Sequence, residues 1–275
     1  MGTPLGDFVR AKRDSIRPES IGLPRRDRSR APGLRRSDLA TRSGISVEYL
    51  TRIEQGRDRH PSGSVLNALA DGLSLDTTER EHLRYLAKIT GGACAAQPHP
   101  APPPRTVRPA ALATLRLLEP GVAMITNRAG DVLAHTTGFA LLLRGAGLLE
   151  AAEPNLTRYV FTDPRARTLF PDWDRVADEQ AFDLGLGPSL QSSLWLRTQL
   201  APVAGPEFTR RLDRPIPPVR NALRLRHPTA GELRWDRETL ELRGADAQQV
   251  VVFLAADEDT ARGFERLRGG LRAVV

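Results

Sequence analysis

The sequence predicts a two-domain α+β protein, with an all-α head of five helices over residues 1–90 and an antiparallel-sheet domain over residues 110–275. Three observations predict this division. Apolar residues recur at helical spacing up to residue 90, and prolines crowd residues 91–109. Beyond them, several segments alternate apolar and polar residues with a period of two. The prolines of residues 91–109 favour an extended linker between two domains, for which 275 residues suffice.

Within the head, residues 34–61 predict two short helices joined by a tight turn. The first is expected over residues 36–43, because Gly44 follows it and glycine enters the left-handed region without steric cost. Ser46 offers an N-cap for the second, over residues 47–55, whose apolar residues recur every three positions: Val47, Leu50 and Ile53. This pattern is a helix-turn-helix, whose second helix enters the major groove of DNA.

Three more helices complete the predicted head. Each is indicated by apolar residues at helical spacing, and the last two by polar residues that can cap their first turns. The first helix carries Leu5, Phe8, Val9 and Ile16; the fourth follows Ser62 or Ser64 and carries Leu66, Leu69 and Leu73; the fifth follows Asp76 and carries Leu83, Leu86 and Ile89.

Positive charge is concentrated in the head. Lysine and arginine number 40 in the whole chain against 33 aspartates and glutamates. Residues 1–60 hold 14 basic and 8 acidic residues, whereas residues 121–275 hold 20 of each. An excess of this kind is typical of a module that displaces counterions from phosphates. Arginine outnumbers lysine so strongly that a GC-rich bacterial genome explains part of the bias.

A run of arginines lies in the turn-rich stretch between the first two helices: Arg25, Arg26, Arg28 and Arg30. Such a run is commonly a solvated loop. Beside a DNA-reading helix it is equally an arm that touches phosphates or a minor groove. Both interpretations remain open.

The second domain begins with a predicted hairpin. Residues 121–126 and 131–135 are short apolar strands, and Gly130 is available for the positive φ of their turn. A helix through residues 139–143 follows. Three further strands are predicted over residues 222–227, 233–242 and 249–255, and the last is continuously apolar, as expected for the centre of a sheet.

The chain resembles a known family over almost its whole length. Residues 49–56, Tyr-Leu-Thr-Arg-Ile-Glu-Gln-Gly, are similar to the third helix of the Cro/repressor-like, or xenobiotic-response-element, helix-turn-helix family. Within it the chain resembles the MmyB-like transcription regulators in five further segments: residues 22–36, 55–61, 127–134, 161–173 and 226–233. The resemblance implies a bacterial regulator with a PAS-like ligand-binding domain.

From these patterns we assign contacts to double-stranded DNA. The second helix of the helix-turn-helix carries, on its groove-facing side, the residues expected to read bases: Val47, Glu48, Thr51 and Arg52. Residues near the starts of these two helices, or on the loop after the second, are expected to contact the DNA backbone: Arg36, Ser37, Ser46, Arg57 and Arg59. Tyr49, Leu50 and Ile53 are assigned to packing.

A sensory pocket is a better functional interpretation of the second domain than an enzyme. The candidates for lining a small apolar cavity are Tyr159, Phe161, Trp173, Trp195 and Phe253. Taken individually, each of them is better explained as plain core. A domain that recognises another protein in place of a small molecule is the alternative that the sequence leaves open.

Enzymatic, metal and membrane roles are not expected. The sequence contains no Walker phosphate loop, no Gly-x-Ser-x-Gly elbow and no His-Glu-x-x-His, and its five histidines lack metal-ligand spacing. No cofactor is expected. Cys94 is the only cysteine, and no stretch of about 18 apolar residues occurs. We therefore expect a cytoplasmic, nucleoid-associated homodimer that binds DNA and a small, apolar ligand, with its dimer surface unassigned.

Overall fold

The structure is a computed structural model that describes residues 2–22, 33–91, 105–127, 129–185, 194–212, 214–220, 222–242 and 248–272. The predicted arm residues Arg25, Arg26, Arg28 and Arg30 lie outside these ranges. The chain divides into two compact units, one of residues 1–97 with 214–217 and the other of residues 98–213 with 218–275. No helix in the described ranges is long and apolar enough to cross a membrane.

The described part of the first unit contains the five predicted α-helices. They are α1 (Pro4–Ser15), α2 (Arg36–Arg42), α3 (Val47–Glu54), α4 (Gly63–Gly72) and α5 (Thr77–Thr90), with a short 3-10 helix at Pro18–Ile21. Ser62 caps α4 and Asp76 caps α5, and in α5 Glu79 bonds back to the Asp76 N–H as well. The prediction of an all-α head is confirmed.

The apolar stripes of these helices meet in one core. Phe8, Leu39, Leu50, Ile53 and Leu69 all have no more than a trace of exposed surface. Because each helix contributes one stripe at helical spacing, the five helices close around a common centre.

Beyond the first unit, the described elements are helices and strands, with five of the helices between the second and third strands. The helices are α6 (Pro109–Leu117), α7 (Thr137–Leu142), α8 (Leu156–Thr162), α9 (Arg165–Leu169), α10 (Trp173–Gly185), α11 (Leu194–Leu212) and α12 (Glu258–Arg272), with a 3-10 turn at Leu148–Glu150. The strands are β1 (Val122–Thr126), β2 (Val132–His135), β3 (Leu223–His227), β4 (Gly231–Glu241) and β5 (Gln249–Ala255). The α+β prediction is confirmed.

The described strands form one antiparallel, PAS-like sheet of order β2-β1-β5-β4-β3. The continuously apolar β5 occupies the predicted central position, pairing with β1 through Val122↔Phe253 and with β4 through Arg237↔Phe253. Gly130 has a φ of +84° in the β1–β2 turn, as its sequence predicted. Side chains alternate across the strands, so the sheet has two distinct faces.

The inner face of the sheet carries the main core of the second unit. Met124, Val251 and Phe253 on this face pack with residues of α7–α10 and α12. The outer face is partly covered by α6, whose Ala111 and Leu115 pack with residues of β1 and β5. Helices on the inner face therefore enclose the space in which a ligand site can form.

The end of the linker differs from the sequence prediction. Pro109, the last residue of the predicted linker, is the first residue of α6. Proline suits that position because its missing N–H would have no intrahelical partner there and its φ is already helical.

Candidate functional site

The turn between α2 and α3 has the geometry of a helix-turn-helix. Gly44 adopts a φ of +61°. The Ile45 N–H donates to the Ala40 carbonyl at 3.0 Å, and Ser46 Oγ accepts from the Tyr49 N–H at 3.0 Å. The hydroxyl of Ser46 thereby fixes the start of α3, because it satisfies an amide that has no partner within the helix.

Helix α3 has one buried and one exposed side. Leu50, Ile53 and Glu54 are completely buried. On the opposite side Val47 is 39% exposed, and Glu48 and Arg52 are exposed as well. An exposed valine beside two charged residues presents both apolar and hydrogen-bonding groups, which are the two kinds of contact that base edges offer.

Two further side chains of α3 are fixed by local contacts. Thr51 is half-buried, and its hydroxyl donates to the Val47 carbonyl at 2.8 Å. The guanidinium carbon of Arg52 lies 5.2 Å from the centroid of the Tyr49 ring. Burial, followed by the nearby Asp58 carboxylate, raises the pKa of Tyr49, so the ring remains a neutral surface for the guanidinium.

Arg36, at the first position of α2, is held by the buried carboxylate of Glu54. Its Nε–H donates to Glu54 Oε2 at 2.7 Å, and Arg13 Nε–H donates to Glu54 Oε1 at 2.8 Å. The Arg13 side chain is 7% exposed, whereas that of Arg36 is 42% exposed. Glu54 therefore fixes an outward-facing cation beside Ser37, which is exposed at the same helix end.

The loop after α3 carries the remaining predicted backbone contacts. Gly56 turns the chain with a φ of +69°, and the Arg57 N–H donates to the Arg52 carbonyl at 2.9 Å. Arg57 and Arg59 are both exposed. The described DNA-contact candidates thus lie on two helix starts, the outer side of α3 and its exit loop.

In the second unit, the inner sheet face borders a cavity of about 560 Å³. Its apolar wall is formed by Met124, Phe170, Val176, Val251 and Phe253 among others. Cavities of this size hold small organic ligands.

The other wall of the cavity is polar and internally paired. Arg237 donates to both carboxylate oxygens of Glu179, at 2.8 and 3.1 Å, and Glu179 is completely buried. Arg220 forms an ion pair with Asp183, whose carboxylate raises the pKa of that guanidinium. The charges of Arg237 and Arg220 are therefore balanced by neighbours, whereas Asp236 and Glu238, which also line the cavity, are exposed carboxylates.

The cavity brings together only one of the five aromatic residues predicted to line it, Phe253. Tyr159 packs against Phe170, and Trp173 Nε1–H donates to the Val160 carbonyl at 2.9 Å. The other two have helical neighbours: Phe161 lies 4.8 Å from the Phe208 ring, and half-buried Trp195 packs against a helical apolar cluster.

Sequence reasoning missed the roles of Glu54 and Glu179. A signal for the first was present, since Leu50, Ile53 and Glu54 are spaced three and four residues apart on one helical face, which places the carboxylate among buried side chains. No comparable local signal points to the pairing of Glu179 with Arg237, which lies 58 residues away in sequence.

A helix-turn-helix head followed by a PAS-like sheet domain defines the class of DNA-binding transcription regulators. Residues 5–83 match the model of a helix-turn-helix domain family. Residues 107–267 match the model described as the MmyB-like transcription regulator ligand binding domain, and this match covers more than half of the chain. The chain therefore belongs to the MmyB-like transcription regulators. No curated protein matches it significantly.

Proposed function

We propose that α3 enters the major groove and reads base edges with Val47, Glu48, Thr51 and Arg52. The observation that carries this proposal is the two-sided burial of α3, with Leu50 and Ile53 inside and Glu48 and Arg52 outside. Arg52 suits a bidentate contact to guanine, and Glu48 suits the amino group of cytosine. Val47 suits the methyl group of thymine.

The residues around α3 position it on the duplex. Arg36 and Ser37 at the start of α2 face one phosphate strand, and Ser46, Arg57 and Arg59 contact backbone at the two ends of α3. Support comes from the exposure of these side chains and from the Glu54 carboxylate that orients Arg36. Such contacts contribute affinity without sequence preference.

The second domain binds a small molecule with a substantial apolar part. Support comes from the apolar wall of the cavity and from its volume of about 560 Å³. Met124, Val251 and Phe253 contact the apolar part of the ligand, and Arg237, Thr239 and Gln249, which line the same cavity, offer hydrogen bonds to its polar part. The ligand regulates DNA binding by favouring one arrangement of the protein over another.

The protein acts on DNA as a homodimer. A single α3 reads only a few base pairs, and a two-fold dimer doubles the number of specific contacts on a palindromic operator. A ligand that changes the distance between the α3 helices of the two copies then changes the affinity for the operator.

Selection of duplexes from a randomised library by the full chain tests the DNA-reading function. The expected result is an enriched motif with two-fold symmetry, bound more tightly than random duplex in anisotropy titrations at several salt concentrations. Binding without enrichment of any motif would argue against base reading by α3.

A further inference from the structure

The ring of Tyr49 on α3 is held from two sides. Tyr49 is half-buried, and it packs against the apolar core of the head. Its phenol also interacts with Asp58: burial is the first cause of the raised pKa of Tyr49, and the charge and hydrogen bond of the Asp58 carboxylate follow. Packing, the role assigned to Tyr49 from the sequence, therefore accounts for one side of the ring and not for its contact with Asp58.

Asp58 is itself fixed by the loop after α3. Its N–H donates to the Arg52 carbonyl at 3.2 Å, and its Oδ1 accepts from the His60 N–H at 3.0 Å. Asp58 is half-buried. Because both its backbone and its carboxylate are hydrogen-bonded, Asp58 contacts the phenol from a defined position, and the ring is joined through it to the end of α3.

Arg52 lies over the ring of Tyr49. Its guanidinium carbon is 5.2 Å from the ring centroid, which is within the range of a cation–π contact. The two residues are three positions apart on α3, and this spacing places them on neighbouring turns of one face. Since helical side chains tilt towards the N-terminus, Arg52 reaches back over the turn that carries Tyr49.

The contact with the ring leaves the hydrogen-bond donors of Arg52 available. Glu48 precedes Arg52 by four residues, the order and spacing that favour an ion pair on a helix. Within the described ranges, however, the guanidinium of Arg52 contacts the tyrosine ring and no carboxylate. A carboxylate would occupy donors at the edge of the guanidinium, whereas a ring contacts its face and leaves the edge for the acceptors of guanine.

We infer that Tyr49 and Asp58 are positioning residues that hold Arg52 for its contact with a base edge. They thereby contribute to sequence specificity through Arg52 and not through contacts of their own with bases. A mobile arginine loses conformational entropy when it binds, and an arginine already held by a ring loses less. The inference rests on the base reading proposed above and adds two residues to those assigned to DNA recognition.

Selection of duplexes from a randomised library by full-chain variants tests the inference. Arg52→Ala identifies the base pair that Arg52 reads, because the preference relaxes at that position. Tyr49→Leu is expected to relax the preference at the same base pair and to leave the other positions of the motif as in the wild type. If Tyr49 served packing alone, its loss would displace α3 and change every position of the motif, or it would change none.

Anisotropy titrations measure the size of the effect. Tyr49→Leu is expected to weaken binding to the selected duplex about two- to five-fold, as for loss of an exposed cation–π contact, and to leave binding to random duplex nearly unchanged. Tyr49→Phe keeps the ring without the hydroxyl, so it is expected to bind with an affinity between those of the wild type and Tyr49→Leu. Asp58→Asn keeps an acceptor for the His60 N–H but loses the charge beside the phenol, and it is expected to resemble Tyr49→Phe.

A double-mutant cycle shows whether the effect passes through Arg52. In the Arg52→Ala background, Tyr49→Leu is expected to cause no further loss of affinity for the selected duplex, because the side chain that the ring positions is already absent. The same comparison with Asp58→Asn is expected to give the same result. This coupling distinguishes a positioning role from a general loss of stability.

Tyr85 on α5 provides a matched control. It is a half-buried tyrosine that packs against the same core, so Tyr85→Leu makes the same change away from α3. This variant is expected to keep the wild-type motif and affinity. Thermal unfolding by circular dichroism checks that every variant folds. If Tyr49→Leu does not fold, Tyr49→Phe and Asp58→Asn carry the test, because they change only polar atoms.

Two results would overturn the inference and leave base reading intact. One is a base-pair preference that Arg52→Ala relaxes and that the Tyr49 and Asp58 variants leave unchanged. The other is an equal loss from Tyr49→Leu with and without the Arg52 side chain, since such a loss does not pass through Arg52. A wild type that enriches no motif would overturn base reading by α3 and this inference together.

Discussion

Glu54 holds Arg36 through a hydrogen bond of 2.7 Å from Arg36 Nε–H to Glu54 Oε2, which joins the end of α3 to the start of α2. The second oxygen of the same carboxylate accepts from Arg13 on α1 at 2.8 Å. Since Glu54 is completely buried, both distances are set by the packing of the head. The proposed base-reading helix and its proposed phosphate contact are therefore fixed relative to each other.

Glu54→Gln is expected to lower the free energy of unfolding of the head by about 3 kcal/mol. The substitution leaves Arg13 buried beside a neutral amide, and removal of one partner of a buried pair exposes the full desolvation cost of the other. Urea unfolding followed by circular dichroism measures the change. Glu81→Gln, which alters an exposed glutamate on α5, serves as the control, and equal stabilities for the two variants would contradict the role of Glu54.

Arg52→Ala is expected to reduce affinity for the selected duplex by about 1–3 kcal/mol and to leave affinity for random duplex nearly unchanged. Arg36→Ala is expected to weaken binding to all sequences alike and to reduce the slope of affinity against salt by about one. Anisotropy titrations at several salt concentrations measure both effects. Arg84→Ala on α5 controls for loss of an exposed cation, and identical effects of Arg52→Ala and Arg36→Ala on both duplexes would argue against the proposed orientation.

Val251→Phe is expected to abolish or weaken ligand binding while costing about 1–3 kcal/mol of stability, because the larger ring occupies the cavity against its apolar wall. Native mass spectrometry reports ligand occupancy, and thermal unfolding reports the cost. Val203→Phe makes the same change at a residue that is 67% exposed on α11. Full occupancy in the Val251 variant would place the ligand elsewhere.

The head is expected to lose stability as the pH falls from 6.5 towards 4. Burial lowers the pKa of His82 from 6.5 to about 4, so the folded head favours the neutral ring and the unfolded chain binds the proton more readily. The contribution of His82 is complete above pH 6.5 and is lost as the pH approaches 4, with a maximum of about 3 kcal/mol.

Urea unfolding of His82→Leu and wild type at several pH values separates the contribution of His82 to stability from that of the titrating carboxylates. The variant is expected to show a shallower fall in stability between pH 6.5 and 4. His60→Gln, which changes an exposed histidine, is expected to follow the wild-type profile. Parallel curves for wild type and His82→Leu would contradict the buried neutral ring.

Local patterns in the sequence were sufficient to predict the five helices of the head and the five strands of the second domain, but not most helices of the second domain. Gly44 and Gly130 adopt the expected positive φ, and the apolar run of residues 249–255 forms the central strand β5. These features depend on backbone sterics and on side-chain periodicity over a few residues. These features can therefore be predicted without knowledge of distant contacts.

The sites depend on contacts that local patterns do not contain. Glu54 meets Arg13 across 41 residues of sequence, and Glu179 meets Arg237 across 58. The apolar character of Tyr159 is equally satisfied in a packed core and in a cavity wall, so residue type alone did not separate Tyr159 from Phe253. Tertiary packing decides which apolar residues border the cavity.

Comparison of native and denaturing mass spectra of the full chain, expressed in a bacterium of similar codon bias and purified without detergent, tests most directly whether this regulator senses a small molecule. The expected result is a discrete additional mass in the native spectrum that disappears on denaturation and is reduced in Val251→Phe. A native spectrum of unliganded protein alone, unchanged after incubation with small-molecule extracts of bacterial cells, would contradict a ligand-controlled regulator and favour a second domain that recognises another protein.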